Sequence, residues 1–537
     1  MAIILNRRSF FRQSSALLAA AQADSLLRAA WAADPDYVVA ETSSGKVRGI
    51  TINGVKVFKG IPYGDTTAGK NRFMPPVPLK WTGVRDALEY GHTAPQINAN
   101  GPRPDAPPQG EDCLVLNIFT PELGGASKRP VMFWIHGGGF KQGSGSSPGN
   151  SGINLAHNHD VVLVSINHRL NVLGSTYLGE AAGAAFSPSG AVGMMDIVAS
   201  LKWVRENIDR FGGDPNLLTI FGHSGGGRKV ATLMAMPSAK GLFAHAIVQS
   251  GAVLRLTEER DAIVETNLLL SELGIERTRA RELQNVPIDK LLAANVAALK
   301  KVTLKEAGES ENSPVVDGKV IPSHPWDPTG PALSANIPLM IGWARTEETA
   351  FDLPTPEKMA LTAAGLRERV KTRLNVDDPE PIIRAFQETF PNQTPWDLYI
   401  LIASNHPRAA NTQELGKRKV LQAGAPCWMY RVDWETPERG GHMRSPHGVE
   451  IPFVFNNVKT AGALISQMPT AYALEDKMSA TWVAFARTRK PNNSKIPDWP
   501  VYSVEKRETM IFNDQIQLVN DPQKQARLAM EKVLKLS

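Results

Sequence analysis

The chain has 537 residues, 42% of them hydrophobic and 21% charged, the profile of a globular protein with room for one large α/β unit or two to four smaller ones. Its two cysteines, Cys113 and Cys427, exclude a disulfide scaffold and a cysteine metal cluster, and they permit one bridge at most. Half of the formal net charge of +6 comes from Arg7, Arg8, Arg12 and Arg28 set against Asp24, and no Lys/Arg stripe with interleaved aromatics follows, so a nucleic-acid partner is discounted.

Residues 1–32 read as an export signal outside the fold. Asn6-Arg7-Arg8-Ser9-Phe10-Phe11-Arg12 precedes the modest apolar stretch 14–21, which resembles a twin-arginine signal with Phe11 where leucine is commoner. Cleavage is expected after Ala30-Trp31-Ala32, with Ala21-Gln22-Ala23 as the second choice. A basic amphipathic N-terminal helix is the alternative. Gln22, Asp24 and Arg28 interrupt the segment, and no later one presents the roughly 18 apolar residues that a membrane span requires. The expected product is an exported, periplasmic or secreted protein with no stable membrane anchor.

From Tyr37 to Tyr63 the pattern is of short strands, with Asn53-Gly54 as a hairpin turn. Residues 97–110 form a loop rich in Pro, Gly and Asn, of a length that usually serves a function. Strands are then expected at Val115–Thr120, Val131–Ile135 and Val161–Asn167, a helix at Ile197–Phe211, and strands at Leu217–Phe221 and Ala246–Gln249. Such alternation predicts a mainly parallel sheet covered by helices. After Glu258 helices dominate, interrupted by strands at Pro338–Ile341 and Trp428–Val432. No repeat and no linker divides residues 33–537, which are read as one unit.

The chemistry is expected at Gly222-His223-Ser224-Gly225-Gly226. An apolar strand runs into it and a helix, read over Arg228–Met236, runs out of it, which is the context of a nucleophile elbow. Gly222 and Gly226 let strand and helix approach closely while Ser224 occupies the strained turn. Gly145-Ser146-Ser147-Pro148-Gly149 matches the same pattern, but no strand leads directly into it and no helix opens at the right place, so Ser147 is assigned to a loop. His136-Gly137-Gly138-Gly139-Phe140 directly follows a strand. Its free N–H groups at Gly138 and Gly139, with that of Gly225, form a candidate oxyanion hole. Phosphate-binding glycine motifs are absent.

With Glu111-Asp112-Cys113-Leu114-Val115-Leu116-Asn117, Asn167-His168-Arg169-Leu170, Phe211-Gly212-Gly213-Asp214-Pro215-Asn216 and Gln249-Ser250-Gly251, these segments resemble the type-B carboxylesterases of the α/β-hydrolase superfamily over nearly the whole mature length. The resemblance implies the α/β-hydrolase fold: a central, mostly parallel sheet flanked by helices, with N-terminal β-hairpins and a helical insertion after the strand that carries the acid. It implies a serine ester hydrolase acting on small-molecule esters with neither cofactor nor metal. It places the acid at Glu347, with Glu348 as the one-residue alternative, and the base at His447 of Pro446-His447-Gly448; His442 is left to the loop. The chain order Ser224, Glu347, His447 suits such hydrolases. An amidase or lipase on the same machinery, or an inactive cholinesterase-like binding protein, are the rival readings.

Two departures from the family are evident. His223 stands where glutamate is common, which weakens a choline-ester reading; it either alters the charge near His447 or packs as an elbow histidine. Ala94 stands where the family has a cysteine to pair with Cys113, so the 97–110 loop lacks that tie, and a Cys113–Cys427 bridge is conceivable but not favoured. Acyl and alcohol specificity, and the oligomeric state, are not legible in the sequence.

Overall fold

Apolar runs bounded by turn residues become strands throughout the chain. The structure, a computed structural model, describes residues 36–97, 101, 106–125, 128–302, 312–461 and 465–536; the expected signal at 1–32 lies outside them. In chain order the strands are β1 (Tyr37–Thr42), β2 (Gly45–Ile52), β3 (Val55–Pro62), β4 (Val84–Asp86), β5 (Val115–Thr120), β6 (Arg129–Ile135), β7 (Val162–Ile166), β8 (Gly213–His223), β9 (His245–Gln249), β10 (Thr257–Glu258), β11 (Val315–Val316), β12 (Leu339–Ala344), β13 (Cys427–Val432), β14 (Glu508–Phe512) and β15 (Gln517–Asn520). The expected hairpin is present: β2 and β3 pair antiparallel around Asn53 and Gly54, whose φ values of 51° and 78° suit the twist of a two-residue turn.

The main sheet has the order β1-β2-β3-β5-β7-β6-β8-β9-β12-β13-β14-β15, with β4 attached to β2, while β10 and β11 form a separate pair. From β7 to β14 every pairing is parallel; β1, β2, β3 and β5 at one flank, and β15 at the other, are antiparallel. The parallel centre is buried on both faces, which is why its strands read as continuous apolar runs. Along β6, Val131, Phe133 and Ile135 enter one core and Met132 and Trp134 the other; β12 divides Leu339, Ile341 and Trp343 from Met340 and Ala344 in the same way. Helices Val192–Asn207 and Gly225–Leu233 cover the first face, and Pro469–Thr488 covers the second.

Helix Val192–Asn207 begins five residues earlier than expected, because Gly193 is a packing residue and not a breaker. A Cβ there would stand 2.7 Å from Arg169 O, so the glycine lets the helix approach the loop after β7. Asp196 of this helix accepts from Arg169 Nε at 2.8 Å and Nη2 at 2.6 Å, both side chains fully buried. Contrary to expectation, the run Ala184–Phe211 is long and apolar enough to cross a membrane, but most of it is buried against the sheet as a core helix.

After β12 the expected helical insertion is formed by Pro356–Met359, Ala363–Leu374, Glu380–Thr389 and Pro395–Ser404, which share an apolar cluster with the C-terminal helix Lys524–Val533. Thr362 and Thr394 cap two of these helices by accepting the N–H groups of Gly365 and Asp397. Cys113 and Cys427 are both free and buried, so no bridge joins them. The foot of the 97–110 loop is closed by hydrogen bonds instead: Thr93 N–H donates to Pro108 O (2.9 Å), Gly110 N–H to Thr93 O (3.0 Å), and Gln96 N–H to Gln109 Oε1 (2.8 Å).

Candidate active site

β8 ends at His223, and Ser224 follows with φ 57° and ψ −122°, a combination that L-residues avoid and that persists only where the surroundings enforce it. The enforcement is visible. Ser224 N–H donates to Gln249 O at 2.8 Å, and a Cβ on Gly251 would overlap Ser224 O. A Cβ on Gly222 would lie 2.5 Å from the Gly226 carbonyl carbon, and one on Gly226 would overlap Ile135 O, so both glycines of the pentapeptide are required by close approach. The helix starts at Gly225, three residues before the expected Arg228, and runs to Leu233. Ser224 is therefore its N-cap, at the positive end of the helix dipole.

The strand β6 delivers His136-Gly137-Gly138-Gly139-Phe140 beside that helix. Gly138 and Gly139 have φ values of 88° and 63°, and Lys141 and Gln142 N–H groups fold back onto Gly138 O at 3.2 and 3.1 Å. A Cβ on Gly225 would overlap the Gly139 backbone, so the loop and the helix start are in direct contact. Neither the Gly138 nor the Gly139 N–H has a hydrogen-bond partner among the described residues.

Glu347 follows β12 and is fully buried; Ala344 N–H donates to its Oε1 at 2.9 Å, and His447 Nδ1 is hydrogen-bonded to its Oε2. Burial alone would raise this carboxyl, but the adjoining His447 ring and the Arg408 guanidinium outweigh burial and hold it below its ordinary value. Thr346 and Ser445 lock the two loops together, with Thr346 N–H donating to Ser445 O (3.0 Å) and Ser445 N–H to Thr346 Oγ1 (2.8 Å). His447 Nε2 is buried and has no partner among the described residues. Gly448, at φ 84°, supplies the turn beyond it.

Glu348 has a different place. Its carboxylate meets Arg408 Nη1 at 3.1 Å and Arg373 Nη2 at 3.3 Å, and does not reach His447. His442 is exposed in a turn, as its loop assignment requires. Ser147 has ordinary extended angles (φ −63°, ψ 130°) before a single 3-10 turn, Pro148–Asn150.

His223 lies with its ring centroid 4.3 Å from that of His447. Behind it sits Glu450, which no sequence motif singles out. Its Oε1 is 3.6 Å from His223 Nε2 and 3.5 Å from Gln249 Nε2. Burial, then the charge of Glu347, pushes the Glu450 carboxyl up to about 8, while burial first and His447 second hold His223 well below the ordinary histidine range. At neutral pH the two are an uncharged acid and an uncharged ring. Phe351 stacks at a tilt on His447 (5.0 Å), is 54% exposed, and carries the Arg408 guanidinium over its face at 4.3 Å. Among the described residues no cluster of His, Cys, Asp and Glu is arranged to hold a metal ion.

A model of the carboxylesterase family matches residues 36–531. The para-nitrobenzyl esterase of Bacillus subtilis (strain 168) is 34% identical over 91% of this chain and 98% of its own length. A carboxylesterase of Geobacillus stearothermophilus, solved at pH 6.2, superposes with a TM-score of 0.79 at 36% identity, covering 91% of this chain and 99% of that one. An esterase from Clostridium hathewayi that can hydrolyse aliphatic aromatic polyesters gives a TM-score of 0.78 at 31% identity, covering 93% of this chain and 100% of that one. With a match of this extent, on a sheet and helix arrangement shared with solved carboxylesterases, the chain belongs to the type-B carboxylesterase family of α/β-hydrolases and is a carboxylic ester hydrolase.

Proposed function

We propose that the protein hydrolyses small or medium carboxylic esters through Ser224, His447 and Glu347. The observation that carries this reading is the His447–Glu347 pair with Nε2 unpartnered, its ring packed on that of His223, the residue before a serine held in a strained turn at a helix N-terminus. Ser224 Oγ attacks the ester carbonyl carbon and passes its proton to His447 Nε2. Glu347 fixes the ring and stabilises the imidazolium. The N–H groups of Gly138, Gly139 and Gly225 hold the oxygen as it becomes negative; their unused donors and the helix dipole support that role. His447 then gives its proton to the leaving alcohol, and water, activated by the same ring, cleaves the acyl-serine. No cofactor takes part.

Residues 33–537 act as one unit in this reading, and residues 1–32 carry it across the inner membrane by the twin-arginine route; the paired Arg7-Arg8 ahead of an apolar stretch supports export. The para-nitrobenzyl esterase among the relatives makes aryl and benzyl esters the first substrates to try. The test is a panel of aryl, benzyl and alkyl esters of increasing acyl length, alongside an anilide of matching shape. Hydrolysis of several esters, with a burst of alcohol and a matching acyl mass on the protein, is expected. Turnover of the anilide in preference to every ester would replace the reading by an amidase. Replacing Arg7 and Arg8 by Lys is expected to retain the enzyme in the cytoplasm of a host with the twin-arginine system; unchanged periplasmic activity would contradict the export assignment.

A further inference from the structure

Lys229 sits in the helix that begins beside Ser224, and it is completely buried. A lysine is almost never fully buried without a partner, since removing an ammonium from water is costly. Among the described residues no carboxylate pairs with it. Its Nζ instead donates to Gly139 O at 2.9 Å and to His136 O at 3.2 Å, and lies 5.6 Å from the centre of the Phe140 ring.

The identity of those two carbonyls is informative. His136 O belongs to the peptide that ends in the Gly137 N–H, and Gly139 O to the peptide that ends in the Phe140 N–H. Between them lie just the two peptides that present the Gly138 and Gly139 N–H groups. Lys229 therefore brackets both donors, and it does so from the helix whose first N–H, that of Gly225, is the third. Cβ atoms on Gly225 and Gly226 would overlap Gly139 and Ile135, so these two parts already touch, and the Lys229 amine joins them through two further hydrogen bonds.

We propose that Lys229 is the positioning residue of the oxyanion hole, clamping the His136–Phe140 loop to the Gly225 helix so that three N–H groups converge on one point before substrate arrives. This rests on the assignment of the oxyanion hole made above. The nearby ionisable groups do not compete with it. Burial holds His136 down at about 3 and His168 well below its ordinary range, so both rings are neutral, and the buried Arg169–Asp196 pair is internally compensated. Burial, then the neighbouring Arg228 charge, pulls Lys229 itself down to about 7. Negative charge arriving on the substrate oxygen favours its ammonium form.

The test compares wild type with Lys229→Met, which keeps the stem and removes both donors. Three quantities are read: kcat and KM for a neutral aryl ester, affinity for a trifluoromethyl ketone that forms an oxyanion adduct with the serine, and affinity for a methyl ketone of the same shape that does not. The expected result is a loss of kcat on the order of 10- to 100-fold and a matching loss of trifluoromethyl ketone affinity. KM and methyl ketone binding stay within about twofold, and Tm shifts by only a few degrees, because losing the donor to two carbonyls is partly offset by relief of the cost of burying the amine. Lys229→Gln, with a neutral donor, is expected to recover part of both losses. Lys229→Leu is read in the same way if the methionine variant does not fold. Wild-type kcat and ketone affinity in a folded apolar variant would overturn the proposal; so would equal losses for both ketones, or failure of both apolar variants to fold, since either makes Lys229 a general packing requirement. A trifluoromethyl ketone that forms no adduct with wild type would instead overturn the oxyanion-hole assignment on which it depends.

Discussion

The chain contains Gly-x-Ser-x-Gly twice, and the two copies have opposite structures. Around Ser224 a strand ends, the serine takes φ 57°, a nine-residue helix starts at once, and both glycines are forced by backbone contacts with Ile135 and with each other. Around Ser147 the serine is extended, the chain makes one 3-10 turn, and a Cβ on Gly149 would meet nothing within 4 Å. Gly145 is the one crowded glycine there, with Ile166 O 2.6 Å from its Cβ position. The five letters are therefore not the site. The enforced turn between a parallel strand and a helix is what exposes a hydroxyl beside free N–H groups, and only one copy has it.

Substituting each serine separates the copies most sharply. Ser224→Ala is expected to lower kcat on the order of 10⁴-fold or more, whereas Ser147→Ala, which loses one weak bond to Ser144 O at 3.4 Å, leaves kcat within about twofold. Steady-state hydrolysis of an aryl ester measures both. The acid is tested next. Glu347→Gln is expected to reduce kcat on the order of 10²- to 10⁴-fold at nearly constant KM, because His447 loses its orienting carboxylate. Glu348→Gln strands Arg373 and Arg408, so it lowers Tm while kcat changes by less than about tenfold. The reverse ranking would move the acid one residue along.

Smaller effects are expected from the pair behind the elbow. His223→Glu puts a carboxylate where a neutral ring now lies 4.3 Å from His447, which favours the imidazolium. The acidic limb of kcat/KM is then expected to move up by on the order of one pH unit, and a choline ester to gain relative to a neutral one; a stationary limb with an unchanged preference leaves His223 as packing. Glu450→Gln tests stability. The folded carboxyl keeps its proton up to about 8, whereas an unfolded glutamate loses it near its ordinary value of 4.5. The folded state thus holds the extra proton between those pH values. Glu450 contributes stability that is fully present below about 4.5 and lost as pH rises to about 8. The stability difference between wild type and Glu450→Gln should fall across this window, by at most a few kcal/mol, and thermal melts at pH 5, 6.5 and 8 would read it.

The parts of the site that were legible in the sequence are those whose backbone needs are local. Gly222 and Gly226, the glycines after β6, and Gly448 after His447 each mark a turn that other residues resist, and the segments carrying Ser224, Glu347 and His447 announce themselves through those turns. What stayed hidden depends on residues meeting across the fold. Lys229 belongs to no motif and a lysine is ordinarily exposed; it is buried because the His136–Phe140 loop, 90 residues earlier, packs against the start of its helix. Glu450 and His223 are far apart in sequence and meet only when β8 and the His447 loop are assembled. The missing Cys113 partner predicted a loop without that bridge, as the free Cys113 bears out; Gln96, Gln109 and the Thr93 backbone close its foot instead, a tie with no signature in residue type. The helices at Gly225 and Val192 start earlier than the sequence pattern predicts for one reason: glycines that serve close packing look like breakers until the partner backbone is known.

The most direct test of the account is covalent labelling with an alkyl fluorophosphonate, followed by digestion and mass analysis of the peptides spanning 129–169 and 213–249. One phosphonyl group per chain is expected, on Ser224, in wild type and in Ser147→Ala, and none in Ser224→Ala. A label on Ser147, or labelling that survives in Ser224→Ala, would contradict it.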